Sequence, residues 1–445
     1  MMLEIIAVFA LSAQLLAPYL VWPNRWNIPA HLQAGFCVTA YVIPGLFTDV
    51  WSLVPEKTVS LFTAINVVGA ILLCSGVLIG AQIEKHMQRT NLSFLGNSLL
   101  GTTSLILRVL PVVGAAVVGI YLAYWIMGFI PMFAADPFAA KQFKGEYRDL
   151  YYRAAYLFRF SFSVIVASIP LVLILAWEKR SLALMVLAFF AFVAIFISLA
   201  RGATATGLLI FLGVLAARQQ IGMRWYIPLV LIIFPLGSVF YYLLGEVLGV
   251  GALGRGYNSG SLSDFISSGA PDISDQLNWL YGFARGNFYS WGRTIYGGLI
   301  PGNYEWNPSV WSISYFDVGA DISEVITGGL RLSAAEWGYA NFGWTGVVLL
   351  PFLSGLFNGM ILSKLKRGQP HMDIIQFSTA LLLYNTLGLQ ITQFYFLSIH
   401  NIPSIAVAIY FWRSNSTRRG PLSGAASPRP PLWNFARTPR KRGIR

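Results

Sequence analysis

The chain reads as an all-α polytopic membrane protein of about eleven transmembrane helices with a large extracytoplasmic loop. Three observations predict this. Hydrophobic residues make up 56% of the sequence and charged residues 11%, under half the charged share of an ordinary globular chain. Many windows of roughly 20 residues carry no charge, which is the length needed to cross a bilayer core. One long polar interruption, 246–341, holds nine of the eighteen acidic residues. The alternation over about ten residues expected of a membrane barrel is absent. A length of 445 residues would otherwise suggest several soluble domains, but the composition excludes them.

Taken in order, apolar segments lie near 3–22, 30–50, 63–84, 108–130, 161–177, 181–199, 202–217, 225–245, 342–362, 374–394 and 397–413. The first has no basic lead and no clear small-residue cleavage site, so it reads as a retained membrane helix. Residues 1–245 form about eight helices with an outer loop at 131–160. Residues 342–413 form about three more, and 414–445 form a basic tail. That tail is rich in Pro, Ser, Arg and Gly, has little to bury, and is expected to be disordered.

Lys and Arg in short loops set orientation. Arg25, the Lys85/Arg89 pair, Lys179/Arg180, Arg218/Arg224 and Lys364/Lys366/Arg367 fall on alternate sides of the spans. All are cytoplasmic together if the N-terminus is outside and the C-terminus inside. The net charge of +13 gathers largely in the tail; beside a membrane helix such charge fixes topology and touches anionic lipid, so no nucleic-acid partner is expected. Cys37 and Cys74 lie in apolar segments, with neither a disulfide framework nor zinc spacing.

This topology places 51–62, 131–160 and 246–341 outside. The 131–160 loop carries Lys141, Lys144, Arg148, Arg153 and Arg159 against the positive-inside tendency, which fits either an anion-holding surface or a solvated amphipathic helix. The 246–341 segment has too many large aromatics for disorder. It reads as a folded cap over a site, because long connections without a scaffold role are usually functional.

Three constellations carry candidate chemistry. The first is arginine on the outer side: Arg148, Arg153, Arg159, Arg201, Arg285, Arg293 and Arg331. Guanidinium forks suit phosphate oxygens. Arg201 is the sharpest case, since a cation between two apolar spans is costly unless it is paired or lines a wet cavity; a snorkelling side chain is the plainer alternative.

The second constellation is acidic. Glu336 enters an apolar helix, where a carboxyl among apolar walls is a candidate base; an ion pair with Arg331 is the alternative. Asp317 and Asp321 share a face if that piece is helical, and a solvated or calcium-like role is open to them, although no EF-hand spacing is present. His400, near the outer end of the last hairpin, is a third base candidate beside the reading of a hydrogen-bonded interfacial histidine.

The third is aromatic. Trp291 and Tyr296 are candidates for stacking on sugar rings, against the alternative of a membrane-interface belt. There is no Walker loop, GxGxxG after a strand, HExxH, GxSxG or Cys/His metal cluster. These absences weigh against ATPase, metalloprotease and redox classes.

Three stretches together resemble the Wzy-type O-antigen (oligosaccharide repeat-unit) polymerase family. They are Gly128-Phe129-Ile130-Pro131-Met132-Phe133 followed by arginines, Ser198-Leu199-Ala200-Arg201-Gly202, and Glu336-Trp337-Gly338-Tyr339-Ala340-Asn341-Phe342-Gly343-Trp344-Thr345-Gly346. The layout of spans and outer loop is similar too. One departure is that some members carry an arginine, ten residues and a glycine, whereas Arg201 here meets Gly213 one position late.

The resemblance implies a GT-C-like bundle and a metal-independent membrane glycosyltransferase without cofactor, in a bacterial inner membrane. It would pass a growing glycan from undecaprenyl diphosphate onto a lipid-linked repeat unit on the periplasmic face. Partners would be that lipid-linked oligosaccharide, membrane lipids, and a flippase and chain-length regulator of the same pathway. The arginines would hold diphosphate, with Glu336 the first choice of base and Asp317 the second. The rival readings are an O-antigen ligase and a lipid-linked oligosaccharide flippase or other transporter.

Overall fold

The computed structural model describes residues 2–89, 102–219, 222–249, 260–286, 288–300, 305–316, 329–388 and 398–413. Among these the chain is helical and contains no strand. Five helices are long and apolar enough to cross a membrane: Ile28–Phe47, Glu56–Met87, Ser104–Phe133, Ala155–Lys179 and Ala334–His371. Five further apolar helices are shorter, at 10–17 residues.

The first half comprises α1 (Met2–Leu16), α2 (Ile28–Phe47, with a π-turn at Val38–Val42), α3 (Glu56–Arg89), α4 (Thr102–Met127), α5 (Ala155–Lys179), α6 (Leu182–Ile197) and α7 (Arg201–Arg218). Then follow α8 (Met223–Ser238) and α9 (Phe240–Leu248). The apolar run 225–245 is thus not one straight span. It contains Pro228 and Pro235, and the helix breaks at Val239, as expected where proline removes backbone donors. The cap holds α10 (Leu262–Gly269), α11 (Asp272–Gly286) and α12 (Pro308–Phe316). The chain then enters α13 (Ala334–Gly368), α14 (Ile374–Leu383, continued by a π-turn at Tyr384–Gly388) and α15 (Ile402–Arg413).

The centre of the bundle is the packing of α13 on α3. Gly76 and Gly80 of α3 meet the carbonyls of Phe352 and Leu356, while Gly355 and Gly359 of α13 meet those of Leu73 and Val77. Two Gly-x-x-x-Gly pairs facing each other let the backbones close to a distance no side chain would permit. The matched order of these contacts makes the long arm of α13 parallel to α3.

α13 is not one rod. Phe342 and Gly343 leave helical geometry, Gly343 at φ 60°, ψ −143°, a conformation glycine adopts without strain. The chain reverses there: Gly338 packs on Gly346, and Ala335 lies with Pro351 against Gly69. The short arm 334–341 therefore runs antiparallel to the long arm 344–368 as a helical hairpin. Asn341 locks the bend from above. Its Oδ1 accepts from Ser290 Oγ (2.5 Å), Thr294 Oγ1 (2.9 Å) and the Gly292 amide (3.1 Å), and its Nδ2 donates to the Trp337 carbonyl (2.9 Å).

The predicted boundary between outer segment and membrane helix, 341/342, falls at this bend. The short arm, placed outside on the sequence reading, packs against the long arm and against Gly69 of α3. Its start is set by a capping box in which Ser333 and Glu336 exchange bonds with each other's backbone amides.

The basic clusters used for orientation share one end of the bundle. Arg367 pairs with Glu84 (2.7 Å), Arg218 with Glu178, and Lys366 Nζ donates to the Val21 carbonyl (2.8 Å). At the other end α11 packs over the turn at Val50–Leu53 and the start of α3, and Ser263 Oγ donates to the Phe47 carbonyl (3.0 Å). Residues 414–445, expected to be a disordered tail, lie outside the described residues.

Candidate functional site

The site grows from the residues just before the hairpin. The stretch 329–333 descends beside α2 and α11 to reach the capped start of α13. Gln276 of α11 holds it by donating to the Arg331 carbonyl (2.6 Å). Asp272, fully buried at the head of α11, takes one edge of the guanidinium: Arg331 Nε lies 2.7 Å from Oδ1 and Nη2 donates to Oδ2 (3.0 Å). The Phe36 ring of α2 lies under the guanidinium, 5.1 Å from its carbon. Two-point pairing and a ring face together fix the fork in the way arginine, and not lysine, allows.

Arg331 and Phe36 are shared by two cavities. One, of about 300 Å³, lies between α1, α2, α3 and α13 and is lined by Gln14, Gln33, Ser333, Ser354 and Asn358 among apolar side chains. The other, of about 110 Å³, lies between α2, α7 and α8, with Gly202, Ala205, Leu209, Ile233 and Phe234 in its wall. Its lining is apolar, and much of it is half-exposed, so it is an open groove. A chamber with amides and hydroxyls set among apolar side chains, meeting a mostly apolar groove at one guanidinium, suits a ligand with a hydrogen-bonding end, an anion in the middle and hydrocarbon at the other end.

A second carboxyl stands by. Asp275, half-buried and one helical turn beyond Asp272, has its pKa pushed up to about 7, first by burial and then by the Asp272 charge, with Arg331 opposing. Below that pH the group around Arg331 is one cation and one anion; above it a second anion appears. Asp275 therefore sets how strongly this place attracts a further anion.

The predicted arginines divide. Arg331 is at the junction. Arg201 opens α7, and its neighbour Gly202 lines the same groove as Arg331. Arg285 sits at the far end of α11, about 20 Å along the helix from Asp272, and is exposed over the Tyr281 ring (4.7 Å). Arg293 is exposed over Trp306 (4.6 Å). Arg159 donates to the Tyr151 hydroxyl (2.6 Å) and lies near His400; Arg148 is half-buried and Arg153 exposed beside it. One diphosphate cannot touch all seven. Arg331 and the start of α7 at Gly202 share one groove. Arg159, Arg148 and Arg153 belong to a separate group, which the bond from the Ile399 amide to the Gly298 carbonyl (2.9 Å) joins to the helix bearing Arg293 and Tyr296.

The base candidates fare differently. Glu336 is wholly buried; one carboxylate oxygen accepts from the Ser333 amide (2.6 Å) and the other has no partner. It does not line either cavity, and the alternative ion pair with Arg331 is not formed, because Asp272 takes that arginine. Asp317, like Asp321, lies outside the described residues. His400 stands in a short turn before α15, with Phe160 6.5 Å away between ring centres, and lines neither cavity. Trp291, in left-handed backbone at φ 51°, and Tyr296 are exposed. Trp291 lies on the cover of the hairpin bend, its amide bonded to the Asn341 carbonyl (3.0 Å).

Residues the sequence reading did not single out build much of the site: Asp272, Asp275, Gln276, Gln14, Gln33 and Asn66. A glutamine inside an uncharged helix was the visible signal, since polar groups at membrane depth need a reason. Among the described residues no group of His, Cys, Asp or Glu is arranged to hold a metal ion. Comparison of the chain with protein-family models, with curated proteins and with solved structures finds no match.

Proposed function

We propose that the chain transfers a glycan from a polyprenyl-diphosphate carrier to a sugar hydroxyl, extending a lipid-linked oligosaccharide at the extracytoplasmic face. The acceptor would be a new lipid-linked repeat unit. The observation that carries this reading is the junction at Arg331, with a chamber holding amides and hydroxyls among apolar side chains on one side and a mostly apolar groove on the other. Such a site matches a lipid whose diphosphate separates sugar from hydrocarbon. The resemblance of the Ser198–Gly202 and Glu336–Gly346 stretches to repeat-unit polymerases agrees with it. The basic clusters gathered at the opposite end support an orientation with Arg331 outside.

In this reading the acceptor oxygen bonds to the anomeric carbon as the bond from that carbon to the diphosphate oxygen breaks. The electron pair passes to the diphosphate, and the hydroxyl proton leaves with it. Little covalent work falls to the protein, so charge neutralisation and alignment of two substrates supply the rate. Arg331 faces the developing charge. Asp272 holds the guanidinium in place.

The test is the purified full-length protein with an undecaprenyl-diphosphate-linked repeat unit, with and without chelator, followed by gel separation of the glycans. Longer glycans are expected in both conditions. Arg331→Ala is expected to lower the rate about 10²–10³-fold, the usual effect of removing a donor aimed at developing charge. Unchanged polymer length with Arg331→Ala would overturn the reading.

A further inference from the structure

We infer that the chamber between α1, α2, α3 and α13 is a sugar-recognition site, and that Gln14 and Gln33 accept hydrogen bonds from the ring attached to the carrier diphosphate. The inference rests on the function proposed above and adds to it the residues that read the sugar.

The argument begins with Gln14. Its Nε2 donates to the Asn66 Oδ1 (3.0 Å) and to the Asn66 carbonyl (3.3 Å). Asn66 Oδ1 also accepts from Ser333 Oγ (2.8 Å), so the amide is fixed by two elements of the bundle. With the nitrogen committed, Oε1 is an acceptor, and it is buried without a partner. Gln14 itself is 8% exposed and lines the chamber. Gln33, from the facing helix α2, lines the same chamber and also has a buried, unpartnered Oε1. A buried acceptor left without a donor is costly, a cost rarely retained without a ligand to relieve it. On a third side the Tyr384 hydroxyl donates to Asn358 Oδ1 (2.9 Å), which turns the Asn358 amide N–H groups to other acceptors.

The chemistry of the occupant follows from this lining. Acceptors at Gln14 and Gln33 ask for hydroxyl or amide N–H donors, and Asn358 offers donors in return. No carboxylate lines the chamber, and its single charge is Arg331 at one end. A cationic headgroup would meet only repulsion there. A neutral ring bearing hydroxyl or acetamido groups, with its anion at Arg331, satisfies every one of these groups. A volume of about 300 Å³ lies at the lower end of small-molecule sites, room for one ring and not for a long glycan. The ring read is therefore the one next to the diphosphate.

The experiment uses the full chain in nanodiscs and measures binding by native mass spectrometry for three probes. These are undecaprenyl diphosphate, undecaprenyl diphosphate bearing N-acetylglucosamine, and free N-acetylglucosamine. The wild type is expected to bind the sugar-bearing lipid about tenfold more tightly than the bare one, and the free sugar hardly at all. Gln14→Met and Gln33→Met should each cut that preference about five- to tenfold, the worth of one buried hydrogen bond, while leaving affinity for the bare lipid unchanged. Arg331→Ala should weaken both lipids alike.

Gln33 makes no recorded bond to the bundle, so Gln33→Met carries the test should Gln14→Met fail to fold. An intact sugar preference in Gln33→Met overturns the inference and leaves the proposed function standing, as does a wild type that binds both lipids equally. Free sugar bound as tightly as the lipid-linked form would also overturn it. A wild type that binds neither lipid removes both together.

Discussion

Asp275 is a small group with a large lever. Burial and the neighbouring Asp272 hold its carboxyl near pH 7 instead of its ordinary 3.8. It therefore binds a proton more tightly in the fold than in the unfolded chain. Its contribution to stability is complete at acid pH, falls as pH climbs from about 4 to about 7, and is gone above that. Asp275→Asn keeps the shape and drops the charge. The apparent melting temperature of the detergent-solubilised variant should match the wild type at about pH 3.5 and exceed it by a few degrees at pH 8. Equal values at pH 8 would show that the fold does not raise the Asp275 pKa.

The same group governs charge at Arg331. Wild-type affinity for bare undecaprenyl diphosphate is expected to fall between pH 6 and pH 8, and Asp275→Asn should flatten that slope. A wild-type affinity that rises over this range would contradict the charge count. Arg201 stood out as a chain position because a cation between apolar runs has few cheap explanations, whereas Arg331 was one of seven arginines on the outer side with no local mark of its own. Asp272 and Asp275 were not separable from the other acids around them. Their meaning comes from Arg331, 59 residues away from Asp272 in sequence, and no local pattern announces such a pair.

At the scale of elements, the α3–α13 seam and the hairpin bend hold the site in register. The seam rests on carbonyls in contact with glycines, so any side chain there pushes two backbones apart. Gly355→Leu would drive a branched side chain into the Leu73 carbonyl. Overpacking commonly costs about 1–3 kcal/mol and more where backbone cannot yield. The expected outcome is a lower melting temperature and reduced polymer, whereas Leu356→Ala on the same helix should reduce polymer far less. A Gly355→Leu protein as stable as the wild type would show that the helices do not close this way.

The apolar runs revealed most of these helices. What they could not reveal was the fold-back at Phe342–Gly343. Glycine is frequent inside membrane helices and so marks no break by itself, and the reversal depends on Asn341 finding Ser290, Gly292 and Thr294 about fifty residues earlier. The break between α8 and α9 was more readable, since Pro228 and Pro235 stand in the run.

On the scale of the whole molecule, the chain joins a covered end, built from 260–316 and the turns beside it, to a basic end braced by Arg367–Glu84 and Arg218–Glu178. The apolar groove between α2, α7 and α8 reaches Arg331 beneath that cover. A half-exposed apolar wall of this kind offers a hydrocarbon chain a sideways way in. An occupant that arrives in this manner never has to dissolve in water. Its supply is then counted per unit of bilayer area and not per litre. Diluting proteoliposomes tenfold with buffer should leave the rate of the proposed transfer per protein unchanged. Diluting the carrier tenfold with other phospholipid inside the same vesicles should slow it.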